Sequence, residues 1–151
     1  MVLPGLALLL AIGAGYLKWS TATIAPAETS GQAALATAKD STVAMLSYRP
    51  DSAQRDLEAA QRRLTGSFAD AYRSLIHDVV IPGARQKGIA AVASVPAAAI
   101  VTNNENHAVV LVMVDQTVTI GSEPPTATAS SVRVTLDKVG QQWLISRFDP
   151  V

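Results

Sequence analysis

Apolar positions along this chain pass through three regimes: a continuous run, then helical spacing, then alternation. From Met1 to Leu17 no side chain carries charge and Leu, Ala, Val and Ile dominate, until Lys18 and Trp19 close the run. A helix of about 20 apolar residues crosses a hydrocarbon core, so residues 1–19 read as a short transmembrane helix. A secretory signal peptide is the rival, because Ala25-Pro26-Ala27 loosely resembles a small-residue cleavage site. No Lys or Arg precedes the run, the run exceeds a usual signal core, and Pro26 lies inside the motif, so a retained anchor is preferred. In both cases the rest of the chain is expected to be exported. Lys18 alone argues for the opposite orientation, but one charge is a weak bias. Ala7, Ala11 and Gly15 recur every four residues, a spacing that suits close helix approach and that background Ala and Gly content also explains.

Residues 20–31 are small and Pro-containing and read as a linker. Helical spacing follows. Residues 32–46 are Ala-rich, with modest apolar marks at Leu35, Ala38, Met45 and Leu46. Pro50-Asp51-Ser52 supplies the next helix start, with Asp51 or Ser52 as cap and Leu57, Ala60 and Leu64 on one face. Phe68, Tyr72, Leu75, Ile76 and Val79 have the offsets of an amphipathic helix with Thr65 as N-cap, and Pro82-Gly83 breaks or kinks it.

From Ile89 the period becomes that of strands. Residues 89–102 are rich in Ala and Val with Pro96 inside, which suits an edge strand or a bulged one. After a turn at Asn103-Asn104-Glu105-Asn106, residues 107–120 are apolar in both alternating sets, as in a central strand covered on both faces. Beyond the loop at 121–125, Val132, Val134 and Leu136 alternate with Arg133, Thr135 and Asp137, a strand with one wet face. Gly140 turns the chain, and the last strand, 142–148, is expected to carry Trp143 and Phe148 on opposite faces. Helices first and an antiparallel four-stranded sheet afterwards make an α+β domain.

Composition narrows the function classes. About 130 residues follow the apolar run, enough for one core. With 12 basic and 12 acidic residues and no basic stripe, the chain lacks a nucleic-acid footprint. Zero cysteines exclude disulfides, a thiol nucleophile and thiolate metal sites. Two separated histidines supply no metal-ligand cluster, and Gly-rich phosphate loops are absent, so no metal or cofactor is expected.

Several segments carry a resemblance: Met45-Leu46-Ser47-Tyr48 with Asp51, Leu64-Thr65-Gly66-Ser67-Phe68 with Tyr72, Val114-Asp115-Gln116, and Trp143-Leu144-Ile145-Ser146 through Phe148-Asp149-Pro150-Val151. In this order, behind one membrane helix, the chain resembles the Mce-associated membrane proteins of mycobacteria and related actinobacteria, which accompany lipid-importing Mce systems. That family usually has a longer, charged cytoplasmic leader. The resemblance implies the cone-shaped nuclear-transport-factor/ketosteroid-isomerase-like fold, helices on a curved antiparallel four-stranded sheet, also found in periplasmic domains of type IV secretion assembly factors. The expected organisation is a transmembrane helix at 1–19, a linker at 20–31 and an extracytoplasmic domain at 32–151.

An isomerase or cyclase of this shape needs an acid or base inside the cone, and Asp78, His77, His107 and Asp115 are the candidates. Adjacent on a helix, His77 and Asp78 project about 100° apart, beside the apolar Ile76 and Val79, and read as solvated surface. His107 reads as a loop-end polar residue. Asp115 follows Val109, Leu111 and Met113 on one strand face and is placed to point into the cone; Gln116 follows Val110, Val112 and Val114 on the other. Equally, both mark where the strand leaves the core or satisfy local backbone groups. The preferred expectation is a non-catalytic, single-pass accessory or stabilising subunit of an Mce-type lipid importer. Its partners are the membrane and Mce transporter subunits or other envelope proteins, with Arg133, Thr135 and Asp137 and the 121–125 loop as docking candidates. The alternative is a lipid carrier whose apolar pocket is lined by Phe68, Tyr72, Leu75, Met113 and Trp143; the bland reading of those five is core packing.

Overall fold

The computed structural model describes residues 29–151, so the predicted membrane segment and linker residues 20–28 lie outside the described residues. Among the described residues no helix is long and apolar enough to cross a membrane. Helix α1 occupies the described residues 29–46, so residues 29–31, expected in the linker, are already helical. Its buried stripe is made of small residues, Gly31, Ala34, Ala38, Ser41 and Thr42, ending at Met45. Small side chains let the helix lie close to the sheet. A Cβ at Gly31 would come within 3.0 Å of the Asn103 side chain. Two hydroxyls in this stripe, Ser41 Oγ and Thr42 Oγ1, are buried without a hydrogen-bond partner among the described residues.

Helix α2 (Ala53–Gln61) starts at Ser52, whose hydroxyl donates to the Asp56 carboxylate at 2.7 Å rather than capping the backbone. Leu57 and Ala60 face the core as their spacing predicts. Helix α3 (Gly66–Leu75) follows the extended Thr65 and runs without a break through a π turn at Ile76–Val80 into α4 (Ile81–Lys87). Pro82 has no N–H to give and its ring crowds the carbonyl of the preceding turn; the widened turn lies immediately ahead of it. The π turn adds a residue to the helical phase. Tyr72 and Ile76 are therefore followed in the core by Ile81 and Ala84, while Val79, expected on the apolar face, is 61% exposed. Gly88, left-handed at φ 65°, ends α4.

Strands β1 (Ile89–Asn103), β2 (His107–Ile120), β3 (Thr126–Val139) and β4 (Gln142–Pro150) form an antiparallel meander in chain order. β1 is both an edge strand and a bulged one, its register shifting between Ser94 and Ala97 around Pro96. On β2 only one alternating set is covered. Ala108, Val110, Val112 and Val114 lie under the helices, whereas Val109, Leu111 and Met113 face away from them, so the expectation of a strand covered on both faces is corrected. β3 keeps Val132, Val134 and Leu136 inside, as predicted. The prediction for β4 fails at a bulge. Leu136 pairs with Ile145 but Thr135 with Arg147, so Ser146 is the extra residue and Phe148, opposite Val134, shares the inner face with Trp143.

Short bridges tie the helical layer to both sheet edges. Tyr48 exchanges two 2.9 Å backbone bonds with Ala91 on β1, and the Ser47 hydroxyl accepts from Ala93 N at 3.0 Å. On β4, Thr65 N donates to Ile145 O at 2.9 Å and Ile145 N to Arg63 O at 3.0 Å. The end of α1 is held by side chains: Tyr72 Oη donates to Met45 O at 2.9 Å and Gln116 Nε2 to Leu46 O at 3.0 Å. Both carbonyls belong to the last turn of the helix. Burial, with a smaller contribution from Tyr48, pushes the Tyr72 hydroxyl far above the ordinary tyrosine range and keeps it a donor.

Two substitutions test this packing. Tyr72→Phe leaves the Met45 carbonyl without its donor and is expected to cost about 1–3 kcal/mol in denaturant unfolding. Thr42→Val replaces an unpartnered buried hydroxyl with a methyl of the same shape; it is expected to stabilise by about 1 kcal/mol, read as a raised Tm.

Candidate functional site

The sequence singles out five apolar residues as a pocket lining, and the fold divides them. Phe68 on α3 stacks on Phe148 at 6.2 Å between ring centroids and touches Tyr72 at 6.5 Å. Trp143 is buried on β4 with Lys138 Nζ 5.9 Å from its ring. Leu75 is 52% exposed on the helical side, and Met113 is 44% exposed on the sheet face that points away from the helices. These five therefore cannot line one cavity. Phe68, Tyr72 and Trp143 pack the domain's own core, and the sulfur of Met113 accepts from Ser131 Oγ at 3.2 Å.

The polar candidates separate in the same way. Asp115 belongs to the outward set of β2 and is exposed, which corrects the expectation of a carboxylate inside the cone. Gln116 points inward, where its amide holds the end of α1, so it satisfies a backbone group 70 residues away and not a local one. His77 and Asp78 are exposed on the π turn; His77 Nε2 lies 3.6 Å from Glu58 Oε1. Among the described residues no group of His, Asp and Glu is placed to hold a metal ion.

One pairing was not foreseen. His107 and Asp137 stand directly opposite on β2 and β3, with Nδ1 and Oδ1 2.7 Å apart. The β2–β3 register runs unshifted from this pair to Val118–Thr126, whereas counting back from the 121–125 loop would pair residue 120 with 126 and miss it by two residues. The hydrogen bond to His107 holds the Asp137 carboxyl below the ordinary aspartate range against a smaller opposing effect of burial, with Ser146 adding a second hydrogen bond. Both side chains are about half exposed, 48% and 44%, so the contact fixes the ring more than it stabilises the fold.

Asp137 belongs to the outer face of the sheet, which is the least ordinary surface of the domain. Helices cover the opposite face. The outer face carries Val92, Ala97 and Ala99 from β1, Val109, Leu111 and Met113 from β2, and Arg133, Thr135 and Asp137 from β3. Val92, Ala97, Ala99 and Met113 are exposed, and Val109 and Leu111 partly so. The three docking candidates thus flank an apolar strip. Arg133 and Asp115 are exposed on this face, and neither side chain makes an ion pair or hydrogen bond among the described residues.

A second concavity is a surface groove of about 560 Å³ between α1, the end of α2 and the start of β4. Arg62, Arg63, Gln141, Gln142 and Trp143 are among its lining, which contains no acidic residue. Two guanidiniums and two amides beside an indole suit a carboxylate or phosphate carried on an apolar body.

The His107–Asp137 contact has a pH signature. A carboxyl held below its unfolded value contributes stability that is present above about pH 4 and is lost as pH falls through the depressed folded value. His107→Gln is expected to move the Asp137 titration, followed by carboxyl-carbon NMR, up to the ordinary aspartate range and to remove that share of the acid sensitivity.

Comparison with known proteins agrees with this architecture. Residues 4–151 match the family described as "Uncharacterized protein Rv1363c/MT1408-like". The chain is 55% identical over 150 residues to outer membrane protein Rv1973 of Mycobacterium tuberculosis, covering 99% of this chain and 94% of that protein. Among solved structures, an IcmL-like type IV secretion system protein of Legionella pneumophila superposes with a TM-score of 0.64 at 9% identity, covering 78% of this chain and 90% of the other. VirB8 of Agrobacterium tumefaciens gives 0.63 at 14% identity, covering 77% and 88%. These likenesses show the fold, the cone of helices on a four-stranded antiparallel sheet that the sequence resemblance implied. By its match along nearly the whole chain, this protein belongs to the Rv1363c/MT1408-like family.

Proposed function

We propose that this chain is a non-catalytic, membrane-anchored accessory or stabilising subunit of an Mce-type lipid import system, docking through an extracytoplasmic domain. The uncovered outer sheet face carries the docking part of the reading. An apolar strip facing water, rimmed by charge, is what protein contact surfaces present before they are covered. Filling of the core by Phe68, Tyr72, Trp143 and their neighbours supports a domain whose recognition is on its surface. Support for an envelope setting comes from the relative called an outer membrane protein and from the apolar run at residues 1–19. The Mce partner rests on the resemblance of the segments around Met45, Leu64, Val114 and Trp143. A membrane anchor would raise the local concentration of the domain beside its partner.

The groove beside Trp143 favours a second reading, a carrier that seats an anionic lipid at Arg62 and Arg63. Affinity purification of the tagged full-length protein from its native membrane, in mild detergent, separates the two. The expected result is near-stoichiometric recovery of Mce transporter subunits. Lipid recovered without protein partners would favour the carrier, and recovery of neither would overturn both.

A further inference from the structure

The outer sheet face has a composition that matches itself. Its centre is Met113, flanked by Ala97 on β1 and Ser131 on β3. Two residues along β2 on one side is Leu111, opposite Ala99 and Arg133; two residues on the other is Asp115, opposite Ser94 and Ala129. One cation and one anion, each unpaired among the described residues, therefore lie on either side of an apolar centre, set among small residues that leave hollows.

From this we infer that the outer face is the contact between two copies of this chain. The inference rests on reading that face as a docking surface, and it names the occupant. Consider a two-fold axis lying between the faces, crossing the strands at the level of Met113. The axis reverses position along the strands. It sets Met113 against Met113 of the second copy and brings Asp115 of the second copy over Leu111, one strand from Arg133. Sheets stack about 10 Å apart and strands lie about 4.8 Å apart, a span that an arginine and an aspartate close together. Symmetry forms the contact twice, as an isologous interface requires. No strand-long stripe of one charge opposes the pairing: the Asp137 carboxylate is hydrogen-bonded to His107, and Arg147 Nε lies 3.3 Å from Asp149 Oδ2.

The area is adequate. At about 3.3 Å per residue and 4.8 Å per strand, a face of four strands as long as β2 measures roughly 45 by 19 Å. That is close to the ~800 Å² that each member of a stable pair buries. On this inference the face read above as the docking surface for transporter subunits is covered by the second copy instead, and transporter subunits are assigned to the helical side and its groove, which the contact leaves open.

The absence of cysteine from the chain makes the test direct. Met113→Cys in the full-length protein introduces the sole thiol at an exposed position, so folding is not at stake. Facing sheets about 10 Å apart hold the two thiols too far from each other for a disulfide, so a short bismaleimide is the linker, and in native membranes a cross-linked species of twice the protomer mass is expected. Val79→Cys, exposed on the helical side, is expected to give none. Combined with Met113→Cys, Asp115→Arg or Arg133→Asp alone is expected to lower the cross-linked fraction about fivefold, and the two together to restore it. A thiol at position 113 that links only to a different protein, or to nothing, overturns the inference. A double variant no better than the singles overturns the charge pairing. Cross-linking without copurifying transporter subunits would sink the accessory role and leave the pairing standing; subunits without the cross-link would do the reverse.

Discussion

The end of α1 is the constraint on which the domain depends. The last carbonyls of a helix have no partner within it, and here one is buried and the next half-buried against the sheet. Tyr72 from α3 supplies a donor to Met45 O and Gln116 from β2 supplies one to Leu46 O. Three elements distant in sequence thus meet at one helix terminus. The next two residues continue the junction, with Ser47 and Tyr48 bonding to Ala93 and Ala91 on the edge of β1. Leaving those carbonyls bare in the core would cost more than a surface hydrogen bond gains, so each of these side chains is specified by the terminus it serves.

A matching junction closes the other edge. Arg63 and Thr65 bond to Ile145 on β4, so both sheet edges carry a short segment of the helical layer. Exposed edges invite pairing with other chains, and covering them directs association elsewhere. The surface left for association is the face, whose apolar strip follows from the simplest property of the fold: the helices lie on one side only. Segments that carried the family resemblance, around Ser47-Tyr48, Leu64-Thr65 and Asp115-Gln116, are where these junctions form. Their physical role is to fasten helices to sheet.

Much of the architecture could be read without coordinates. Helical spacing at Leu57 and Ala60, Pro96 at a bulged edge, and the alternation of Val132, Val134 and Leu136 each reported a local preference, and each held. Two of the failures share one cause, a change of phase. The π turn adds a residue before Pro82 and turns Val79 outward; the bulge at Ser146 adds one to β4 and turns Phe148 inward. Period arguments assume that the count is unbroken, and one extra residue reverses a strand's faces. The candidate site suffered differently. Phe68, Tyr72, Leu75, Met113 and Trp143 were grouped by chemistry, and apolar chemistry does not say which side of a sheet a residue occupies.

What the sequence by itself determined is the order of elements, the class of fold and the kinds of chemistry the chain lacks, because these follow from local spacing and from composition. Only the tertiary structure decided which face of β2 meets the helices. Both alternating sets of that strand are apolar, so hydrophobic burial favours either face nearly equally. The choice falls to the register with β3, which sets Val110 opposite Val134 and Val112 opposite Val132 on the apolar side of a strand whose other face is polar, and Gln116 then reaches Leu46 O. With that set inside, Met113 and Asp115 are left on the surface. The exposed strip is the consequence of a strand that could have been buried on both sides and has a helical layer on one.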